Sequence, residues 1–194
     1  VTLVAGGPPC QGFSMAGKRD ENDQRNKLVK SYVKFIKLVL PEAIIFENVH
    51  GFTVNFKGKK GTKQYSSYVE KALKRLGYKT MHQIVDMSEY GVPQNRKRFI
   101  LVGMKEHSPK KVFEVLSKNR ESFCELKGIT CKTTVYEAIS DLERVHGTRP
   151  SPDTKGFQAG LYGPVQSGYQ RLMRQSIKSE IDVVDSCLLY TSPS

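Results

Sequence analysis

The stretch VTLVAGGPPCQGFS, residues 1–14, decides the fold class because a short apolar run changes abruptly into glycines and prolines. Residues 1–5 are apolar and partly β-branched, which is typical of a buried strand that ends at Gly6 and Gly7. Two consecutive prolines then stiffen the chain ahead of Cys10. The pattern predicts a strand that presents a thiol on a rigid loop at its carboxyl end.

A helix and a second strand are predicted after this loop. Apolar residues recur at helical spacing from about residue 24 to Pro41, where the helix must stop. Residues 43–46 form a second buried strand, which delivers Glu47 and Asn48 at its carboxyl end. A strand–helix–strand unit predicts parallel pairing with a right-handed crossover, and continued alternation further along predicts an open α/β sheet.

The alternation of strands and helices continues in the following segments, and the sequence pattern becomes less clear after Met104. Residues 79–86 and 98–104 are predicted strands, and the helix before them is capped by Gly77. Residues 110–126 are predicted to form a helix. Residues 147–168 are rich in Gly, Pro and Ser, which indicates a loop or linker.

The charge balance favours a polyanionic partner. Lys and Arg number 31 against 19 Asp and Glu, a formal charge of +12, which places nucleic acid ahead of a membrane surface. No apolar run approaches the ~20 residues of a membrane span, and no signal-peptide pattern is visible, so an intracellular protein is expected. No two of the four cysteines are spaced as CxxC, and the cysteines do not group with histidines, so neither a metal site nor a disulfide framework is expected.

Chemistry-bearing residues follow the predicted strands, where α/β sheets collect their active sites. Cys10 on its stiff loop suits a nucleophile, or else a buried turn cysteine. Glu47 suits a proton donor, or else a salt-bridged surface carboxylate. Arg96 and Arg98 would share one face of an extended segment and could bind phosphate or the carbonyl edge of a base. A solvated charge run is the alternative for the two arginines.

Together and in order, these motifs resemble those of the cytosine-C5 DNA methyltransferases. GGPPCQGFSMAGKR (6–19) is similar to the family's catalytic cysteine motif, and FENV (46–49) to its Glu-Asn-Val motif. YGVPQNRKRFILVG (90–103) is similar to the Gln-x-Arg-x-Arg motif, and TVYEAISDL and YQRLMRQ resemble the approach to the target-recognition region. The resemblance implies a partial Rossmann-like, S-adenosylmethionine-dependent methyltransferase fold, with an open sheet and helices on both faces.

The resemblance also implies roles for individual residues. Cys10 is expected to attack C6 of a cytosine flipped out of the duplex. Glu47 is expected to hold or protonate N3, and Arg98 to bind the exocyclic O2 with support from Arg96. C5 would then take the methyl group of S-adenosylmethionine. Asn48 is expected to brace the loop of Cys10.

Contacts to DNA and cofactor follow from the same resemblance. Double-stranded DNA is the expected partner of a monomeric enzyme, located in the cytoplasm with the nucleoid if bacterial or phage and in the nucleus if eukaryotic. The candidate cofactor residues are Pro8 and Leu28. The candidate DNA-contacting residues are Gln11, Ser14, Lys18, Arg19 and Gln94.

The resemblance divides the chain into three segments. Residues 1–104 are assigned to the catalytic part, residues 105–185 to an extension leading toward the target-recognition region, and residues 186–194 to a non-native tail. The family places a glycine-rich cofactor strand ahead of the cysteine motif and a target-recognition domain after the last matched motif. The chain is therefore expected to be an internal fragment that is inactive by itself.

Two other functions fit part of the pattern. A tRNA-modifying branch of the family shares the cysteine, Glu-Asn-Val and arginine motifs, so RNA is an alternative acceptor. A non-catalytic, basic DNA-binding remnant is the alternative from a different class, because the charge of +12 supports binding without catalysis.

Overall fold

The structure, a computed structural model, describes four stretches of the chain: residues 1–9, 27–54, 65–151 and 154–174. The chain forms two compact units, and each is treated by itself below. Unit 1 comprises residues 1–87 and 96–118, and unit 2 comprises residues 88–95 and the chain from Asn119 onward.

A four-stranded sheet forms the centre of unit 1. Its strands are β1 (Leu3–Gly6), β2 (Ala43–Val49), β3 (Lys79–Asp86) and β4 (Lys97–Met104), in the spatial order β1-β2-β4-β3. β1 and β2 pair in parallel, as the strand–helix–strand pattern predicts. β4 is antiparallel to both of its neighbours. A parallel return needs a crossover of a dozen or more residues, and the ten residues from 87 to 96 are too few for one.

Two helices complete the described hydrophobic core of unit 1. α1 (Lys27–Val39) buries Val29 and Ile36 completely, two positions that are seven residues apart on one helix face. α2 (Tyr65–Arg75) is followed by Gly77 at φ +86°, a left-handed conformation in which glycine carries no Cβ penalty. The predicted glycine cap is therefore confirmed, and so is the α/β fold class, as a mixed sheet flanked by helices.

The hydrophobic core of unit 1 contains a cluster of aromatic side chains around Phe46. The ring of Phe46 on β2 is fully buried, with its centroid 5.2 Å from Tyr32, 5.3 Å from Phe52 and 6.2 Å from Phe99. Aromatic pairs at these separations gain energy beyond their buried area. Phe46 thus joins the sheet to α1 and to the turn that carries Phe52. A third helix, α3 (Lys110–Lys118), follows β4 in unit 1.

Unit 2 is built from short helices and a small hairpin. The helices are α4 (Arg120–Leu126), α5 (Val135–Ile139) and α6 (Gly168–Met173), and the antiparallel strands are β5 (Thr148–Pro150) and β6 (Gln158–Gly160). The single helix predicted over 110–126 is wrong, because Asn119, at φ −91° and ψ 4°, separates α3 from α4. The loop predicted over 147–168 contains the hairpin, which composition did not reveal since each strand has only three residues.

Side-chain caps and a buried polar network hold unit 2 together. Reciprocal capping boxes begin α5, between Thr134 and Glu137, and α6, between Ser167 and Gln170. The hydrogen bonds from Thr134 lower the pKa of Glu137. Gln170 is fully buried and donates from Nε2 to Oγ of Ser140 at 2.8 Å. These bonds satisfy polar groups that would otherwise be costly to bury.

No helix in the stretches that the structure describes is both long enough and apolar enough to cross a bilayer.

Candidate active site at the carboxyl end of β2

Glu47 and Asn48 belong to β2 itself, which corrects the prediction that they follow it. β2 extends to Val49 because its pairing with β4 continues, with Glu47 opposite Ile100 and Val49 opposite Arg98. The parallel pairing with β1 stops earlier, at Gly6 opposite Phe46. The segment that follows β1 therefore lies beside the last residues of β2, which extends beyond the end of β1.

Gly7 lies directly against the carboxylate of Glu47. A Cβ atom added to Gly7 would lie 2.7 Å from Oε2 of Glu47 and 3.4 Å from its backbone oxygen. The first distance is shorter than atoms tolerate, so a side chain at Gly7 would displace the carboxylate. The segment leading to Cys10 is thus in contact with Glu47. This agrees with the prediction that the residues following the first two strands lie close together.

Asn48 connects the same segment to β2 by a hydrogen bond. Its side chain is 1% exposed, and its Nδ2 donates to the carbonyl oxygen of Pro8 at 3.3 Å. Its Oδ1 accepts from the backbone N–H of Val49 at 3.0 Å. With the amide hydrogen-bonded at both ends, Asn48 fixes the position of Pro8 relative to β2.

Glu47 and Arg98 form an ion pair across β2 and β4. Nε of Arg98 is 2.8 Å from Oε1 of Glu47, and the two side chains are 15% and 43% exposed. They are diagonal neighbours on one face of the sheet, since Arg98 pairs with Val49, two residues beyond Glu47. Arg98 also donates from a terminal nitrogen to the carbonyl of Lys97 at 3.0 Å. The pair places a carboxylate and a guanidinium side by side at the accessible end of the strand.

Tyr32 supports this site from α1, a contact that sequence reasoning missed. A Cβ on Gly6 would come within 2.7 Å of Cε2 of Tyr32, so the ring lies against the end of β1. The hydroxyl of Tyr32 donates to the carbonyl of Ile45 at 3.4 Å, and burial raises its pKa to about 12. Its helical spacing predicts that Tyr32 is a core residue. The only sequence signal for its contact with β1 is Gly6, which has no side chain to keep the ring away.

The other predicted site residues are distributed differently. Arg96 is exposed ahead of β4 and forms no ion pair with any residue that the structure describes. Gln94 is exposed and belongs to unit 2. Pro8 is half-buried, and Leu28 in the first turn of α1 is 41% exposed. Cys10 lies outside the described residues, and so do four DNA-contact candidates: Gln11, Ser14, Lys18 and Arg19.

The described part of the chain contains no cluster of metal ligands, and its buried cysteine, Cys124, has the environment of a core residue. No group of three or more His, Cys, Asp or Glu side chains that could hold a metal ion is found there. Cys124 is buried, and burial raises the pKa of its thiol to about 11. A buried thiol with a raised pKa is a poor nucleophile, so Cys124 behaves as a small core residue.

We expect Gly7→Ala to displace the Glu47 carboxylate, because the new methyl group would occupy its position. Small displacements of catalytic groups carry large losses, so a reaction of the full protein that uses Glu47 is expected to have a kcat about 10- to 100-fold lower. The control is Gly103→Ala, whose Cβ would meet its neighbours at ordinary distances of 3.6 Å or more. Steady-state kinetics and thermal unfolding of both variants check this. Equal activity of the two alanine variants would contradict the assigned contact.

The chain is similar to a known family over most of its length. A family profile for C-5 cytosine-specific DNA methylases matches residues 1–177. Type II methyltransferase M.DdeI of Desulfomicrobium norvegicum is 37% identical over 145 residues, which cover 73% of this chain and 32% of that protein. Type II methyltransferase M.XorII of Xanthomonas oryzae is 37% identical over 159 residues, which cover 81% and 31%. The chain thus spans about a third of the length of these relatives.

Among solved structures, the Entamoeba histolytica methyltransferase EhMeth is similar to part of the chain. The match has a TM-score of 0.43 and 23% identity, and it covers 55% of this chain and 32% of the other.

Proposed function

Because the chain belongs to the family of C-5 cytosine-specific DNA methylases, we propose that the protein carrying it transfers a methyl group to C5 of cytosine in duplex DNA. The observation that supports this most directly is the Glu47–Arg98 pair, which lies against the segment leading to Cys10. The named relatives are bacterial Type II methyltransferases, so we propose a role in restriction–modification in a bacterial cytoplasm.

The reaction begins with Cys10. Its thiolate attacks C6 of a cytosine that has been flipped out of the stack, and a bond forms between Sγ and C6. The electron pair of the C5–C6 double bond moves toward C5, which becomes nucleophilic. After methylation, a base removes the C5 proton and the Sγ–C6 bond breaks, so the ring is restored and the thiolate leaves.

Glu47 and Arg98 make this attack feasible by binding the edge of the ring that gains electrons. Glu47 delivers a proton to N3, and Arg98 donates to O2, which withdraws electron density from C6. The two acceptors are adjacent on the base, as the two donors are adjacent across β2 and β4. Asn48 holds the segment before Cys10 by its hydrogen bond to Pro8, and Gly7 lets that segment pass close to the Glu47 carboxylate.

S-adenosylmethionine supplies the electrophilic methyl group when bound. Two of the described residues fit a minor part of its site. Leu28 presents an exposed apolar surface in the first turn of α1, and Pro8 is half-buried and hydrogen-bonded to Asn48. Apolar contacts of this kind suit the uncharged parts of the cofactor. Since the chain spans about a third of the length of its relatives, we propose that this chain alone has little or no activity.

Covalent trapping tests the proposed function. Duplex DNA containing 5-fluorocytosine is incubated with the full protein and S-adenosylmethionine. Fluorine at C5 cannot depart as a proton does, so the adduct cannot resolve and a denaturation-resistant protein–DNA complex is expected. Mass spectrometry of the digested complex is expected to place the base on Cys10.

Matched cysteine variants make the trapping experiment decisive. Cys10→Ser is expected to abolish the complex, whereas Cys131→Ser, half-buried in unit 2, is expected to retain it. A complex that survives Cys10→Ser would disprove the proposed nucleophile. Trapping on fluorinated tRNA with none on duplex DNA would move the activity to the RNA branch, and no trapping with intact DNA binding would favour the non-catalytic alternative.

A further inference from the structure

The outer surface of α1 and α2 is strongly basic in a way that catalysis does not use. Four lysines of α1 lie on one side of the helix because their spacings of three, four and three residues follow the helical repeat. Two cations of α2 lie opposite its buried residues Val69 and Leu73. We call these two rows of cations together the basic face; they are Lys27, Lys30, Lys34, Lys37, Lys71 and Arg75.

Among the residues that the structure describes, no acidic side chain balances the basic face. α1 contains no Asp or Glu, and the one carboxylate of α2, Glu70, is paired with His82. All six cations are exposed, and none forms an ion pair with another described residue. Solvent-facing helices more often alternate charges of opposite sign. Concentrated charge of one sign raises the local concentration of a polyanion.

The dimensions of the α1 stripe match a nucleic-acid strand. Its four lysines extend over ten residues, or about 15 Å at 1.5 Å per residue. Duplex DNA carries one phosphate per about 3.4 Å of helix axis on each strand, so a stripe about 15 Å long can meet several phosphates. An extended row of ammonium groups suits a regular row of phosphates better than it suits a single small anion.

We propose that the basic face binds the sugar–phosphate backbone of duplex DNA, as a sequence-independent contact separate from the Glu47–Arg98 pair. This inference rests on the proposed function, which makes duplex DNA the partner. Its effect is to hold DNA during the search for a target, because phosphate contacts supply affinity without reading sequence.

The experiment measures how DNA affinity depends on salt. Lys30→Gln/Lys34→Gln is compared with Lys111→Gln/Lys118→Gln, which removes the same charge from α3, where Glu114 balances Lys110. The full proteins bind a random-sequence duplex between about 50 and 200 mM salt. The α1 variant is expected to reduce the slope of log affinity against log salt by about 2 and to bind at least about tenfold more weakly at 0.1 M salt. The α3 variant is expected to leave both nearly unchanged.

Each result bears on the proposal. Equal losses in the two variants would show a general charge effect and overturn it, and an unchanged slope in the α1 variant would also overturn it. Lys30→Arg/Lys34→Arg is expected to retain the wild-type slope, since charge is preserved. Trapping on fluorinated DNA is measured in parallel. If no variant or wild type is trapped, the proposed function fails, while the salt slopes still report on the basic face.

Discussion

Replacing Glu47 by Gln in the full protein is expected to lower kcat for methyl transfer by about 10²- to 10⁴-fold, the range that a positioned general acid contributes. In the proposed mechanism Glu47 supplies a proton to N3. Glutamine has nearly the same shape but cannot do so, and it removes the negative partner of Arg98. The unfolding free energy is expected to change by about 1 kcal/mol or less, because an ion pair this accessible to water contributes little to stability. Steady-state kinetics and denaturant unfolding test both expectations.

Glu42→Gln is the matched control for this substitution. Glu42 is exposed in the same unit, just before β2, and its described hydrogen bonds are made by its backbone N–H and carbonyl. Near-wild-type kinetics are expected from it. A Glu47→Gln enzyme as active as the Glu42→Gln enzyme would refute the role of Glu47.

A double-mutant cycle extends the prediction to Arg98. If Glu47 and Arg98 act together on one base edge, Glu47→Gln/Arg98→Gln is expected to lose less activity than the product of the two single losses, because residues that act as a unit are not additive. Fully multiplicative losses would show that the two side chains act on separate steps.

Truncating Phe46 to alanine is expected to destabilise unit 1 by about 3–5 kcal/mol, the range for a large buried aromatic. The side chain is fully buried and contacts the rings of Tyr32, Phe52 and Phe99, so its removal leaves a cavity bordered by α1 and the sheet. Denaturant unfolding measures the loss, and amide hydrogen exchange in β2 and β4 is expected to locate it in unit 1.

Phe35→Ala provides the control in the same unit. Phe35 lies on α1 with 49% of its surface exposed, and its truncation is expected to change stability by about 0.5 kcal/mol or less. Similar losses for the two phenylalanines would show that the described core does not carry the stability of unit 1.

Local patterns were sufficient for much of the secondary structure. Helix α1 ends ahead of Pro41 and α2 ends ahead of Gly77, as their sequences predict, because backbone restriction at proline and freedom at glycine act within a few residues. The strand over Lys79–Asp86 was predicted at its observed bounds. Short elements were missed where the signal was too brief, as in the hairpin of β5 and β6.

The amino-acid sequence by itself determined the family and the α/β class, and it named the candidate site residues, because motifs and periodicity are encoded over short stretches. Only the tertiary structure decided that β4 runs antiparallel, that β2 continues through Glu47, and that Arg98 rather than Arg96 meets its carboxylate. Those facts depend on the register between strands separated by about fifty residues of chain, and register is fixed by side chains that meet only after folding. The same holds for Gly7, whose need to be glycine arises from a carboxylate forty positions away.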